Sequence, residues 1–272
     1  MITSPLKWVG SKYKILAHLL PHIGTPNTFV EPFLGSASVS INVNAKNYVM
    51  NDLNKDVIEF YRNLFRDHEK FIEDIKPHFT NVTEEKYYEF RKEFNSLSPE
   101  NFRRSVLFLF LNKFGFNGVC RYNSKGMFNV PFSKVSSHNV PENSIRQFVS
   151  TFKDKKITMF NTSFDNDLLY DGLCNNDVVY FDPPYMISEN YATGFTKYTK
   201  EGFTYEQHIK IKDIAMCLRQ QGIKCIISNH NTEKTRELYK DANTIVSVTK
   251  GRYLSAQKSK RMKVEELLAI YV

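Results

Sequence analysis

The stretch VVYFDPPY, residues 178–185, constrains this chain more than any other. Four apolar residues in a row read as a strand buried on both faces, as in the interior of a parallel sheet. Asp182 follows at once, and Pro183 and Pro184 then fix φ and withhold two backbone donors. Each proline also steers the residue before it away from helix. A strand that stops this way holds a carboxylate and a carbonyl rigidly at its tip. Asp-Pro pairs also occur in turns that only end strands, so the meaning of this one depends on what surrounds it.

Other strand-like segments are TFVEPFL at 28–34, NYVM at 47–50, KITMF at 156–160, KCIIS at 224–228 and TIVSV at 244–248. The terminal ELLAIYV is expected to add an edge element. A helix is expected to start within 36–44, and helical spacing runs through Leu53, Val57, Phe60, Tyr61 and Leu64. Another helix is predicted near 204–220. Strand, glycine turn, helix, strand, acid is the opening of a nucleotide-binding α/β unit. Residues 56–150 break that rhythm with charged helical spacing. The part at 112–134, rich in Gly, Asn and aromatics, reads as a hairpin or irregular structure. The predicted fold class is therefore α/β, a Rossmann-like sheet from 1–55 and 151–272 with a mainly helical insertion at 56–150. A chain of 272 residues suffices for this.

In open α/β sheets, ligands bind beyond the carboxyl ends of the strands. There, Asp182 and the Pro183 carbonyl could accept two hydrogen bonds from a planar NH2 group, and Tyr185 could stack behind it. Neither acceptor attacks. They orient the nitrogen and offset positive charge as it develops. That suits methyl transfer to an exocyclic amino group. EPFLGSAS at 31–38 carries one glycine, not the three of a dinucleotide fingerprint. A cofactor without phosphate, S-adenosylmethionine, fits better. Ser36, Ala37 and Ser38 are small enough for close approach. Asp52, seventeen residues past Gly35, reads either as a ribose acceptor or as a helix cap.

The formal net charge is +8 and is gathered in blocks. Residues 101–161 hold ten Lys or Arg against two Asp or Glu, and residues 250–263 add six basic residues and no acid. Lys7, Lys12 and Lys14 form a third patch. Blocks of this kind point to a polyanion face or to a solvated surface. No run of eighteen uncharged apolar residues is present, and the N-terminal residues lack a secretory signal. Cys120, Cys174, Cys217 and Cys225 form no CxxC pair and read as free thiols of a reducing compartment. A cytoplasmic protein without a membrane partner is expected.

Four stretches, LKWVGSK at 6–12, EPFLGSAS at 31–38, GFNGVCRYNSKGMFNVPF at 115–132 and YFDPPY at 180–185, together resemble the D12-class, Dam-type DNA adenine-N6 methyltransferases. GFTKYTKEGFT at 194–204 and the last residues from Arg252 to Val272 add to the likeness. The order matches the branch in which the cofactor loop precedes the target-recognition segment. The resemblance implies transfer of methyl from S-adenosylmethionine to N6 of an adenine flipped out of duplex DNA, within GATC, with no metal. It implies that Asp182, Pro183, Pro184 and Tyr185 form the catalytic turn. Trp8, Lys12, Glu31, Phe33, Gly35, Ser36, Ala37, Asp52, Ser163, Phe164 and Asp182 would contact the cofactor. Many relatives have an acid where Ser163 stands, with Asp165 nearby as a substitute, and Ser11 replaces a second glycine. On DNA, Lys7 would reach a base edge, Phe116 and Asn117 would lie near the opened helix, and Arg121 would read a guanine. Asn123 and Pro131 complete that surface, with Lys134 on a phosphate. Read without the family, Arg121 is equally a phosphate contact.

The implied partner is double-stranded DNA, bound by a monomer or weak dimer on the nucleoid, or in a host cytoplasm for a phage protein. A cognate restriction endonuclease is admitted as a functional partner without physical contact. The alternatives are a same-fold enzyme acting on cytosine N4 or RNA adenine, and a non-catalytic DNA-binding homologue.

Overall fold

A computed structural model describes residues 1–186, 203–249 and 265–272. The predicted likeness at 194–204 falls largely outside the described residues, and the basic block at 250–263 falls wholly outside them. Seven strands form one sheet, β1 (Thr28–Glu31), β2 (Asn47–Asn51), β3 (Lys156–Phe160), β4 (Val178–Phe181), β5 (Lys224–His230), β6 (Thr244–Thr249) and β7 (Glu265–Tyr271). Their order is β3-β2-β1-β4-β5-β7-β6. The first five in sequence pair in parallel, and β7 runs antiparallel to both β5 and β6.

The terminal strand was expected at the edge, yet it lies inside the sheet and β6 takes the edge. Burial explains the exchange. Leu267 to Tyr271 are all buried, whereas most of TIVSVT is exposed or half-buried. An apolar strand gains more from two neighbours than a partly polar one. β1 is shorter than expected because Pro32 has no N–H to continue the ladder. The helix expected within 36–44 is only a 3-10 turn at Ser40–Asn42. Gly35 at φ +46° and Ala37 at φ +53° are left-handed, which blocks a helix there.

Alternation along each strand splits the core into two layers. Val178 and Tyr180 face one layer with Phe29, Tyr48 and Met50, while Val179 and Phe181 face the other with Val30 and Ile227. The second layer is closed by α6 (Tyr205–Gln220) and α7 (Glu233–Leu238), through Ile211, Ala215 and Leu238. The first is closed by α1 (Leu16–Ile23) and by helices between β2 and β3. These are α2 (Lys55–Ile75), α3 (Glu84–Ser96), α4 (Phe102–Phe114) and α5 (Glu142–Thr151). Phe60, Phe108 and Phe148 of this helical segment share one continuous core with the sheet face. No described helix is long and apolar enough to cross a membrane. Cys120 and Cys225 are buried, Cys174 and Cys217 exposed, and all four are free.

Candidate active site

The carboxyl ends of β1, β2, β3 and β4 bring four loops together. Asn51, buried at the end of β2, ties its own loop to those after β1 and β3. Its side-chain amide donates to the carbonyls of Pro32 (2.9 Å) and Thr162 (3.0 Å), and its side-chain oxygen accepts from Thr162 N (3.0 Å). Its own carbonyl accepts from Leu34 N at 2.8 Å. Sequence reasoning passed over this residue because an Asn at a strand end is ordinary until three loops meet on it.

Asp52 is not the cap of α2. That role belongs to Asn54, whose side chain accepts from Asp56 N at 3.0 Å. Asp52 instead accepts from Gly35 N at 2.7 Å and Asn54 N at 2.8 Å, tying the glycine turn to β2. Enclosure by protein pushes its carboxyl up to about 6, against the pull of those two donors. Gly35 is required here twice over. Its φ is left-handed, and a Cβ would lie 2.6 Å from Trp8 Nε1. Trp8 thus folds back over the turn. Glu31 is buried and accepts from Ser40 N at 3.1 Å and from the Ser40 hydroxyl. Burial pushes it up to about 8, with the charge of Asp182 adding to the rise and the Ser40 hydroxyl opposing it. Ser36 and Ala37 are buried in the same turn.

Phe164 is buried and its ring stacks on Phe33 at 5.4 Å between centroids, with Phe203 against both. At that spacing no second ring fits between Phe33 and Phe164. An adenine could lie only beside the pair. Ser163 is exposed, and Asp165 is ion-paired with Lys210. Lys210 and Ser163 hold the Asp165 carboxyl below its ordinary range.

Asp182 follows β4 as predicted, with its side chain 18% exposed. Lys12 Nζ lies 2.8 Å from Asp182 Oδ1 and 4.6 Å from the centre of the Tyr185 ring. The structure thus brings Lys12 to the Asp-Pro-Pro-Tyr turn. Pro183 is buried and Pro184 exposed. The chain beyond the turn is pinned by Asn229, whose side chain accepts from Met186 N at 3.2 Å and donates to Tyr239 Oη at 3.2 Å. Beneath it Tyr180 and Ser228 share a hydroxyl hydrogen bond of 2.6 Å. The His230 ring meets the Tyr185 ring edge-on at 4.7 Å. Burial raises the Tyr185 phenol well above 10, and the carboxylates of Asp182 and Glu266 add to this. Asn229, His230 and Glu266 lie far from the turn in sequence and carried no motif.

The DNA-facing candidates occupy a second unit. The hairpin from Gly115 to Phe132 is closed by bridges Gly115–Phe132 and Tyr122–Phe128. Buried Asn112 accepts from Lys7 N (2.9 Å) and donates to Lys7 O (2.7 Å), and the Lys7 stem lies against Gly118. Lys7 therefore travels with the hairpin. Phe116 is 43% exposed, Asn117 is exposed and left-handed, and Phe116 N donates to Pro131 O at 2.9 Å. Arg121 is exposed and its guanidinium is aimed by Asn129, through Nε to Oδ1 at 2.8 Å. The Asn123 side-chain oxygen is engaged in the turn, accepting from Lys125 N and Met127 N at 2.9 and 3.1 Å. Lys134 is exposed and left-handed.

The basic block at 101–161 is not one face. Arg103 pairs with Glu93, Arg104 with Asp56, and Arg146 with Glu69 and Glu142. Lys153, Lys155 and Lys156 stand at the opposite, amino end of β3. What stays near the hairpin is Lys113, Arg121, Lys125 and Lys134, and burial beside Lys7 pushes Lys113 down to about 8.

Comparison with known proteins decides the chemistry. The sequence model of the D12 class N6 adenine-specific DNA methyltransferases matches residues 8–253. This chain is a member of that family. It is similar to proteins named DNA adenine methylase from Vibrio cholerae (37% identical over 98% of this chain and 95% of the relative), Escherichia coli K12 (38%, 98% and 94%) and Haemophilus influenzae (36%, 98% and 92%). The activity is S-adenosylmethionine-dependent, site-specific N6 methylation of adenine in DNA.

The loops fit that cofactor. Gly35 lets Trp8 close over the turn, Asp52 could accept ribose hydroxyls, and the Phe33–Phe164 pair offers a ring edge and face for adenine. When bound, S-adenosylmethionine supplies an electrophilic methyl group. The chain's own part is to hold and aim the amine that receives it, in a site whose charges are fixed in advance.

Proposed function

We propose that the target is GATC in duplex DNA, read by the hairpin at 115–132 together with Lys7. The likeness of residues 115–132 to the Dam-type enzymes supports GATC, and the observation that supports a joint reading surface is the Asn112 clasp, which holds Lys7 beside the hairpin. Arg121, aimed by Asn129, would bond both major-groove acceptors of one guanine. Phe116 and Asn117 stand out from the hairpin to fill the gap left by the extruded adenine, and Lys134 meets a phosphate. Pro131 and Asn123 shape the hairpin more than they touch DNA. In this reading residues 56–150 are the target-recognition domain, and 1–55 with 151–272 form the catalytic domain.

At the turn, Asp182 and the Pro183 carbonyl hold the two N–H bonds of the adenine amino group, and Tyr185 stacks on the base. The nitrogen becomes acidic as it gains positive charge, so Asp182 takes the proton without being a strong base. Base extrusion costs a few kcal/mol and is met by contacts made on the hairpin. Trp8, Glu31, Phe33, Gly35, Ser36, Ala37, Asp52, Ser163 and Phe164 line the cofactor side, with Lys12 between the two sides. The protein acts as a monomer or weak dimer in the cytoplasm at the nucleoid, with a restriction endonuclease as a functional counterpart where one is encoded.

Sequencing of DNA from cells expressing the protein tests the target. Methyl marks on adenine within GATC are expected. Marks on another adenine context would overturn the GATC reading, and transfer to scrambled duplexes at the GATC rate would remove the role of the hairpin.

A further inference from the structure

Lys12 already fills the place that the adenine amino group must take. Its Nζ is 2.8 Å from Asp182 Oδ1 and 4.6 Å from the Tyr185 ring centre, and it donates to the Gly10 carbonyl at 2.7 Å. The side chain is 3% exposed, so this is no loose surface pair. A base stacked on Tyr185 would lie about 3.5 Å above the ring, with its amino nitrogen at the carboxylate. The ammonium lies over the same ring and against the same carboxylate. Both groups cannot be there together.

We propose that Lys12 is a built-in surrogate for the target amine, and that adenine enters the clamp only by displacing it. The proposal rests on the adenine-N6 reading of the site and adds how entry is controlled. A carboxylate withdrawn from water needs a cation or donors beside it, and Lys12 supplies the cation before DNA arrives. The exchange moves a side chain and not the backbone. Lys12 N donates to Ser38 Oγ at 3.3 Å, and Ser11 caps the 3-10 turn Lys12–Ile15. A neutral amine by itself is a poorer partner for Asp182 than an ammonium. Stacking on Tyr185 and the contacts made on the hairpin must supply the difference, so a base enters only with its duplex correctly held.

The test keeps the target adenine in a GATC duplex and reads its extrusion by permanganate oxidation of the thymine left unpaired opposite it, with cofactor absent. Lys12→Met keeps the aliphatic stem without the charge, and Lys12→Ala leaves a space that methylammonium can enter. Both variants are expected to give several-fold more thymine oxidation than the wild type at saturating protein. Methylammonium chloride, against sodium chloride at equal ionic strength, should then lower the Lys12→Ala signal and leave Lys12→Met and wild type unchanged. Signals equal to wild type in the variants, or a Lys12→Ala signal that methylammonium leaves alone or raises, would overturn the proposal. If Lys12→Ala does not fold by circular dichroism, Lys12→Met against wild type decides it. Methyl transfer by the wild-type protein reports separately on the adenine-N6 reading.

Discussion

Asp182 stands at the end of a strand buried on both faces, beside a buried ammonium. Arg121 stands on an exposed hairpin closed by two isolated bridges and is aimed by a single asparagine. The first arrangement withdraws charges from water, where each counts for more. The second leaves polar side chains in solvent, where they can reach base edges. The hairpin nevertheless needs rigidity, and it comes from beneath. Tyr122 Oη donates to Asp56 Oδ2 at 2.6 Å, and Asp56 holds buried Arg104 through bonds of 2.6 and 3.0 Å. Arg104 also donates to the Phe94 and Leu97 carbonyls, both at 2.7 Å. Turn and hairpin thus both stand on buried ion pairs, but only the pair at the turn includes a residue proposed to touch the base.

The contrast can be broken first at its foundation. Asp56→Ala leaves Arg104 buried without its anion and releases Tyr122, which should cost roughly 3–5 kcal/mol of stability. A urea midpoint unchanged from wild type would remove the supporting role given to this pair. Next comes the turn. Asp182→Ala should lower kcat for tritiated-methyl transfer by roughly 10²–10³-fold, the usual loss for one preorganised electrostatic group, while leaving duplex affinity near wild type. A retained rate would separate the carboxylate from the chemistry.

Arg121→Ala is expected to do the reverse, relaxing discrimination at one base pair by about 1–3 kcal/mol with little change in stability. Competition among single-substitution duplexes measures it. Uniform weakening across all of them would mark a phosphate contact instead. The smallest effect concerns pH. The Asp52 carboxyl is held at about 6 against an ordinary 3.8. Folding therefore takes up a proton between about pH 4 and 6, and the contribution of Asp52 to stability falls as pH rises through that window. Ribose hydroxyls are better accepted by the ionised form, so S-adenosylmethionine should bind more weakly at pH 5 than at pH 7, by about 1 kcal/mol. Calorimetric affinities that do not differ would remove Asp52 from the cofactor.

Much of this was legible along the chain. The pattern VVYF, apolar at every position, called for a central strand, and β4 is one. Glu31 at the end of β1 and Asp52 just past β2 fell at the sheet's carboxyl edge because parallel strands put all such ends on one side. The basic count at 101–161 misled, since Arg104 and Asp56 meet across 48 residues of chain and cancel out of sight of solvent. The terminal strand was placed at the edge because a last segment joins the sheet without any local sign of which gap it fills. Asn51, Asn112 and Asn229 went unseen because one asparagine looks like another until its partners are known.

The sequence by itself determined the strands, the rigid Asp-Pro-Pro-Tyr turn, the glycine beside the cofactor loop and the family to which they belong. Those follow from short-range sterics and from residue types at fixed spacing. Only the tertiary structure decided that Lys12 comes to Asp182, that Asn112 binds Lys7 to the hairpin, and that Arg104 is buried rather than displayed. These pairings join residues 48 to 170 positions apart, and topology alone fixes which distant groups share a low-dielectric space.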